Sequence, residues 1–267
     1  MTADAFHALH AGPQILILPN AWDAMSAKLI EAAGAEAVAT SSAAVAWSHG
    51  YADGHHLPFA HLCDTVRAIV RVVRVPVTVD SEGGYAPAPA AVAENIRRLI
   101  DLGAAGVNLE DGREEHDLHL AKVTAVRTAA EKAGVNLFVN ARTDVYLKAL
   151  VPAGERLAEA LRRITRLRDA GASGAFVPGA PAADIPALVK EQPLPLNVMG
   201  WTGVPKAADL QAMGVRRLSA ATNIARAAWA AANAAAKAFL DGGDSEALTA
   251  RGEPGADYNA LFRFKPQ

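Results

Sequence analysis

Eight times along this chain a short run of branched or aliphatic residues gives way to a longer helical stretch, and this alternation restricts the fold more than any other feature. The strand-like runs are Ile15–Leu18, Ala37–Thr40, Val75–Val79, Gly106–Leu109, Leu137–Asn140, Gly174–Val177, Leu196–Val198 and Arg216–Leu218. The helical stretches are Asp23–Ala33, Phe59–Arg74, Ala88–Leu102, Leu118–Ala133, Gly154–Ala170, Ala183–Lys190, Val204–Met213 and Asn223–Leu240. Stiff branched side chains suit buried strands. Gly34, Gly103, Gly134, Gly171 and Gly214 stand just past helix ends, where glycine closes the last turn, and a strand follows each within a few residues. Eight such β-then-α units predict a closed parallel (β/α)8 TIM barrel. A doubly wound open sheet uses the same alternation. It would be expected to carry a glycine-rich phosphate loop, and neither G-x-G-x-x-G after the first strand nor a Walker sequence occurs.

With 267 residues, 51% of them hydrophobic, and no linker or charge block, residues 1–267 are expected to form one barrel domain. Residues 223–267 are then a C-terminal helix and tail that pack on the barrel or on a partner subunit. A net charge of −2 gives no reason to expect nucleic acid or an anionic membrane as partner, and small-molecule chemistry is the default. The lone Cys63 cannot form an intrachain disulfide, and the residues from Met1 to Phe6 have neither the basic start nor the apolar core of a secretory signal. A cytoplasmic location is expected. Ala225 to Leu240 is alanine-rich but contains Arg226, Asn233 and Lys237, so it reads as a packed helix and not a membrane span.

Active sites of TIM barrels lie on the loops after the strands. Here the third run ends Val79-Asp80-Ser81-Glu82-Gly83-Gly84-Tyr85, two carboxylates one residue apart. Such a pair repels itself unless a cation intervenes, and a hard divalent ion with oxygen ligands is the usual answer. The fourth strand brings Asn108, Glu110 and Asp111, and the fifth Asn140, Arg142, Thr143 and Asp144. Asp80, Glu82 and Glu110 can converge on one ion with waters completing an octahedron, as Mg²⁺ prefers. Arg142 offers a planar fork to a carboxylate or to charge on an enolate, and Asp144 would fix that fork. Each group also has a plainer reading: acids at strand ends cap helices or sit on the surface, and Arg142–Asp144 forms a local ion pair. Their conjunction on neighbouring strands favours a site.

Other residues argue less. His55-His56 follow Asp53 in a long loop, and His116 and His119 share a helix face, but neither pair comes with the spacing of a third zinc ligand; solvated positions are expected. Ser41 and Ser42 lack a nucleophile elbow and suit carboxylate binding through hydroxyl and backbone N–H groups. Cys63 reads as a small buried filler. Lys148 lies beyond the fifth strand, away from where a Schiff-base lysine would stand.

Asp80-x-Glu82-Gly83-Gly84-Tyr85, Asn108-x-Glu110-Asp111 and Ala141-Arg142-Thr143-Asp144, on successive strands, resemble the isocitrate lyase / phosphoenolpyruvate mutase superfamily. Pro19-x-Ala21-x-Asp23, Ser41 with its small followers, and Gly50-x-x-Asp53 extend the resemblance, which spans Pro19 to Ser219. It implies a Mg²⁺-dependent barrel, with Mn²⁺ as an alternative ion, that binds 2-oxo acids and stabilises an enolpyruvate-like species. Carried over, Asp80, Glu82 and Glu110 are the metal shell, directly or through water. Arg142 with Ser41, Ser42 and Ala43 is the substrate clamp, joined by Asn197, while Asp53 on a gating loop, Arg142 and Glu110 are the catalytic candidates. Family members exchange their last helix and form dimers or tetramers, so a homodimer or homotetramer is expected.

Two departures stand out. Glu82 replaces the family's usual second aspartate, and Gly112 to Leu118 lacks the lysine-and-cysteine loop of the lyases. The expected function is therefore a Mg²⁺-dependent lyase on a small 2-oxo or 2-hydroxy (di)carboxylate, such as an oxaloacetate decarboxylase. The alternatives are a P–C bond mutase or hydrolase on phosphonopyruvate, or a barrel that binds a 2-oxo acid without converting it.

Overall fold

The computed structural model describes residues 2–192, 194–252 and 257–263. Its strands are β1 Leu16–Leu18, β2 Asn20–Ala21, β3 Val38–Thr40, β4 Val77–Asp80, β5 Gly106–Glu110, β6 Phe138–Arg142, β7 Gly174–Phe176, β8 Leu196–Met199 and β9 Arg217–Ser219. All neighbours pair in parallel, in the order β1-β9-β8-β7-β6-β5-β4-β3-β2. β1 and β2 are two segments of one stave divided at Pro19, whose carbonyl still accepts from the Ala39 N–H at 3.0 Å. One segment pairs with β9 and the other with β3, so the sheet closes on itself as the predicted (β/α)8 barrel.

The helices are α1 Ala3–Ala11, α2 Ala24–Ala32, α3 Ser42–Ser48, α4 Phe59–Val72, α5 Pro89–Asp101, α6 His116–Lys132, α7 Arg156–Asp169, α8 Ile185–Lys190, α9 Ala207–Ala212, α10 Asn223–Gly242 and α11 Ser245–Arg251. Each predicted β/α unit is present with ends shifted by a few residues. Amphipathic spacing explains how the helices dock: α4 buries Leu62, Cys63, Val66 and Ile69, and α5 buries Val92, Ile96, Leu99 and Ile100. Each large aliphatic side chain so buried contributes about 1.5–3 kcal/mol. Cys63 is the buried filler its position implied.

Three differences bear on the site. The predicted strands at Val79, Leu109 and Asn140 extend by one or two residues, which places Asp80, Glu110 and Arg142 on the ladder itself; Glu110 and Arg142 are register partners. Ladder hydrogen bonds thus fix the backbone of the functional residues. Ser42 to Ser48, outside the helical stretches expected from the sequence, forms the short helix α3, with the hydroxyl of its N-cap Ser41 accepting from the Ala44 N–H. Helix α1 was not foreseen either. It plugs the lower end of the barrel, where fully buried Phe6 meets Phe138 edge-on at 5.3 Å and His10 stacks on the same ring at 4.0 Å.

The alanine-rich α10 touches the barrel mainly through its first turns, where Trp229 lies 5.6 Å from Trp22 and 6.0 Å from Trp47. Ala225 is its one buried residue. The predicted tail at 253–256 and 264–267 lies outside the described residues. Among the described residues no helix is long and apolar enough to cross a membrane.

Candidate active site

The barrel lumen below the mouth is polar. Asn140 Nδ2 donates to Asn108 Oδ1 at 2.9 Å, and the fully buried Arg217 reaches the same oxygen through Nη2 at 3.3 Å. Burial pulls the Arg217 pKa down to about 9. Asn197, the register partner of Arg217, is buried with neither amide atom paired to protein. It belongs to this lumen layer, beneath the mouth.

At the mouth, Asp80 closes β4. Its backbone N–H donates to Thr40 Oγ1 at 2.8 Å, its Oδ2 accepts from the Ser42 N–H at 3.1 Å, and its Oδ1 is buried with no partner. The Ser42 amide at the start of α3 thus serves Asp80, beside the buried Ala43. Glu82 follows in a left-handed turn (φ 48°). Its Oε1 accepts from the Tyr85 hydroxyl at 2.9 Å, and its Oε2 accepts from the His55 backbone N–H and lies 3.2 Å from His55 Nδ1.

His55 keeps the solvent-exposed position its loop implied, with its side chain 46% exposed, yet it is also anchored to the acidic turn. Its Nε2 also accepts from the Gly83 N–H at 2.9 Å. An amide can only donate, so Nε2 is unprotonated and the ring proton sits on Nδ1, facing Glu82. Burial lowers the His55 pKa in keeping with this neutral ring. Two turns of chemistry, ring and backbone, fasten the loop after α3 onto the end of β4. Asp53, two residues earlier, stays exposed.

On the far side, Arg142 holds Asp144 through Nε to Oδ1 at 2.6 Å and Nη2 to Oδ2 at 3.1 Å, as expected, and its Nη1 lies 2.7 Å from Glu110 Oε2. The guanidinium also stands 5.6 Å from the centre of the Phe176 ring. Lys148, which sequence reasoning set aside, joins this group: its Nζ is 2.9 Å from Asp144 Oδ2 and 3.4 Å from Glu110 Oε1. A Cβ at Gly112 (φ 55°) would stand 3.2 Å from that Nζ, so glycine there leaves room for the ammonium. The i,i+4 spacing from Asp144 was the available signal.

Asp111 does not cap α6. Its carboxylate accepts from Thr143 Oγ1 at 2.6 Å, the Asp144 N–H at 2.8 Å and Arg163 Nη1 at 2.7 Å, tying β5 to the β6 loop and α7. His116 and His119, expected in solvent, are buried beside it.

Burial pushes both Glu82 and Glu110 up to about 7; Asp80 adds to each rise, against the opposing pull of the Tyr85 hydrogen bond on Glu82 and of Arg142 on Glu110. Oxygens of Asp80, Glu82 and Glu110 do not all come within 4.8 Å of one another. Each glutamate instead turns to its own partners, Tyr85 and His55 on one side and Arg142 and Lys148 on the other.

A parallel barrel that collects carboxylates, a guanidinium and an ammonium on the ends of successive staves has the layout of a TIM-barrel enzyme site. Residues 6–240 match the family model described as phosphoenolpyruvate phosphomutase, and the chain belongs to that family. An uncharacterised protein of Mycobacterium tuberculosis is 35% identical over 241 residues, 89% of this chain and 90% of its own. The 2-methylisocitrate lyase of Bacillus subtilis is 30% identical over 183 residues, 65% of this chain and 58% of its own. Among solved structures, a candidate phosphonomutase from Burkholderia cenocepacia J2315 is 41% identical with a TM-score of 0.84, covering 88% of this chain and 99% of its own. Phosphonopyruvate hydrolase in complex with oxalate and Mg²⁺ shares the fold, with a TM-score of 0.87 at 22% identity over 98% of this chain and 95% of its own. The resemblance to the isocitrate lyase / phosphoenolpyruvate mutase superfamily, of lyases and mutases, is borne out.

Proposed function

We propose that this chain is a Mg²⁺-dependent carbon–carbon lyase acting on a small 2-oxo or 2-hydroxy dicarboxylate, with oxaloacetate decarboxylation as the specific reaction. The observation that carries this reading is the gathering of three buried carboxyl groups, Asp80, Glu82 and Glu110, with a fixed guanidinium fork on the ends of successive strands at one barrel mouth. Asp80 Oδ1 is a buried acceptor without a donor, and Glu82 and Glu110 are buried carboxyls that resist ionisation. A hard cation would relieve all three, so the residues fit Mg²⁺, with Asp80 as the first candidate ligand and the two glutamates reaching it directly or through water. The ion supplies Lewis acidity toward the oxygens of a 2-oxo acid.

The chain's own residues do the rest. Arg142, locked by Asp144, presents a fixed positive charge where negative charge grows on the keto oxygen as a C–C bond breaks. Lys148 uses two of its three N–H groups on Asp144 and Glu110 and is 32% exposed, which leaves one donor for a second carboxylate of the substrate. The His55 loop is fastened on Glu82 and Gly83 on the opposite side of the mouth. Ser41 and Ala43 complete the clamp, with Asp53 on the gating loop.

Mg²⁺-dependent release of pyruvate from oxaloacetate, lost in Asp80→Asn, is the supporting result; a rate equal to the uncatalysed one with Mg²⁺ present refutes the reading. A P–C activity on phosphonopyruvate is the second reading, favoured by the 41% identity to the candidate phosphonomutase and by Lys148 as a cation for the phosphonyl group. Loss of the phosphonate signal in phosphorus NMR would select it. The exposed length of α10 supports a homo-oligomer, which light scattering in solution reads directly.

A further inference from the structure

We propose that Asp111, His116 and His119 form a second metal site, distinct from the mouth, that takes a borderline divalent cation such as Zn²⁺. One ligand atom from each lies within 4.8 Å of the others, and all three residues are buried, at 1%, 6% and 0% exposure. Asp111 directly follows β5, His116 opens α6, and His119 lies one turn further on, so that both rings share a helix face turned to the strand end.

The nitrogens carry the argument. His119 Nε2 is 3.1 Å from the Leu109 carbonyl, which can only accept, so Nε2 bears the proton and the lone pair is on Nδ1. That Nδ1 is buried and has no partner. An imidazole anchored by one N–H on a backbone carbonyl with its other nitrogen free is the arrangement that orients metal-ligating histidines. On His116 both nitrogens are buried and unpartnered, although a neutral ring must carry a proton on one of them.

The carboxylate of Asp111 already accepts from Thr143, the Asp144 amide and Arg163, which uses three of its roughly four acceptor positions and leaves one. Arg163 is the opposing charge, and it is itself answered by Glu159 at 2.6 Å. Two imidazoles and one carboxylate suit zinc and not magnesium, and a water can fill the fourth position. Successive strand residues point to opposite faces, so Asp111 looks outward to α6 and α7 while Glu110 looks to the mouth. A cation here would pin the short segment Gly112 to Glu115 to the end of β5, one residue from Glu110.

The full-length protein, stripped with a chelator, reloaded with Zn²⁺ in excess Mg²⁺ and desalted, is expected to retain about one zinc equivalent by mass spectrometry. Asp80→Asn should keep it, and His116→Ala and His119→Gln should each lose it. Wild-type protein that retains no zinc overturns the proposal, as does equal retention by either histidine variant. X-ray absorption at the zinc edge of the wild-type protein needs no variant: two imidazoles in the shell support the site, and none overturns it.

Discussion

Arg142 and Asp144 meet through two N–H···O bonds, 2.6 Å from Nε and 3.1 Å from Nη2, and the remaining Nη1 lies 2.7 Å from Glu110. A lysine at position 142 keeps the charge but has no planar fork to satisfy both acids at once. Arg142→Lys is expected to lower kcat/KM for the 2-oxo acid by about 10²-fold, the scale of one lost charge-stabilising donor. Steady-state kinetics checks this, and a loss under about threefold would remove Arg142 from the clamp.

Lys148 reaches into the same cluster with a donor to spare. Replacing it with methionine removes that donor and keeps the side-chain volume. Lys148→Met should raise KM for a dicarboxylate about tenfold, as one charge-assisted hydrogen bond predicts. Oxalate, which lacks a distant carboxylate, should bind nearly as before in calorimetry. Equal weakening of both ligands would mean that Lys148 acts by holding Glu110 in place.

Glu82 and Glu110 hold their protons up to about pH 7 in the folded chain, against an ordinary 4.5. The folded state therefore binds protons more tightly than the unfolded one. This contribution to stability is complete below about 4.5 and is lost as the pH rises through about 7. Without metal the melting temperature should fall across that window. Mg²⁺ competes with those protons, so the rise in Tm it produces should be larger at pH 8 than at pH 6. Scanning fluorimetry at the two pH values decides; an equal rise would argue against both carboxyls as metal partners.

Gly84 has φ +92° behind the acidic turn, and a Cβ there would run into Val92 on α5. Strain in the left-handed region and overpacking act together. Gly84→Ala is expected to cost about 2–4 kcal/mol in urea unfolding. A cost below about 1 kcal/mol would show that α5 can retreat.

Much of this architecture was legible because the alternation of branched runs and glycine-ended helices is itself the physics of a βα unit. Asp80, Glu110 and Arg142 were legible for a related reason: each is a charged residue that ends a strand-like run just before a loop, which is where a strand tip lies. What escaped was set by tertiary partners. His55 lies in a loop with no period to read, and its role depends on where the Gly83 amide points. His116 and His119 carry a helical spacing that fits a solvated face as well as a buried one, and the neighbour that buries them comes from the end of β5. Helix α1 is short, and Phe6 holds it only once Phe138 is in place.

The seam between β1 and β9 joins Leu16–Leu18 to Arg217–Ser219, segments separated in the chain by all the other staves of the barrel. During synthesis the hydrogen-bonding edge at Leu16–Leu18 emerges before its mate and waits while every intervening stave is made. An unmatched strand edge invites pairing with other chains. The nascent protein is thus most vulnerable to aggregation before the last stave arrives, and a stop shortly upstream of Arg217 would leave that vulnerability permanent.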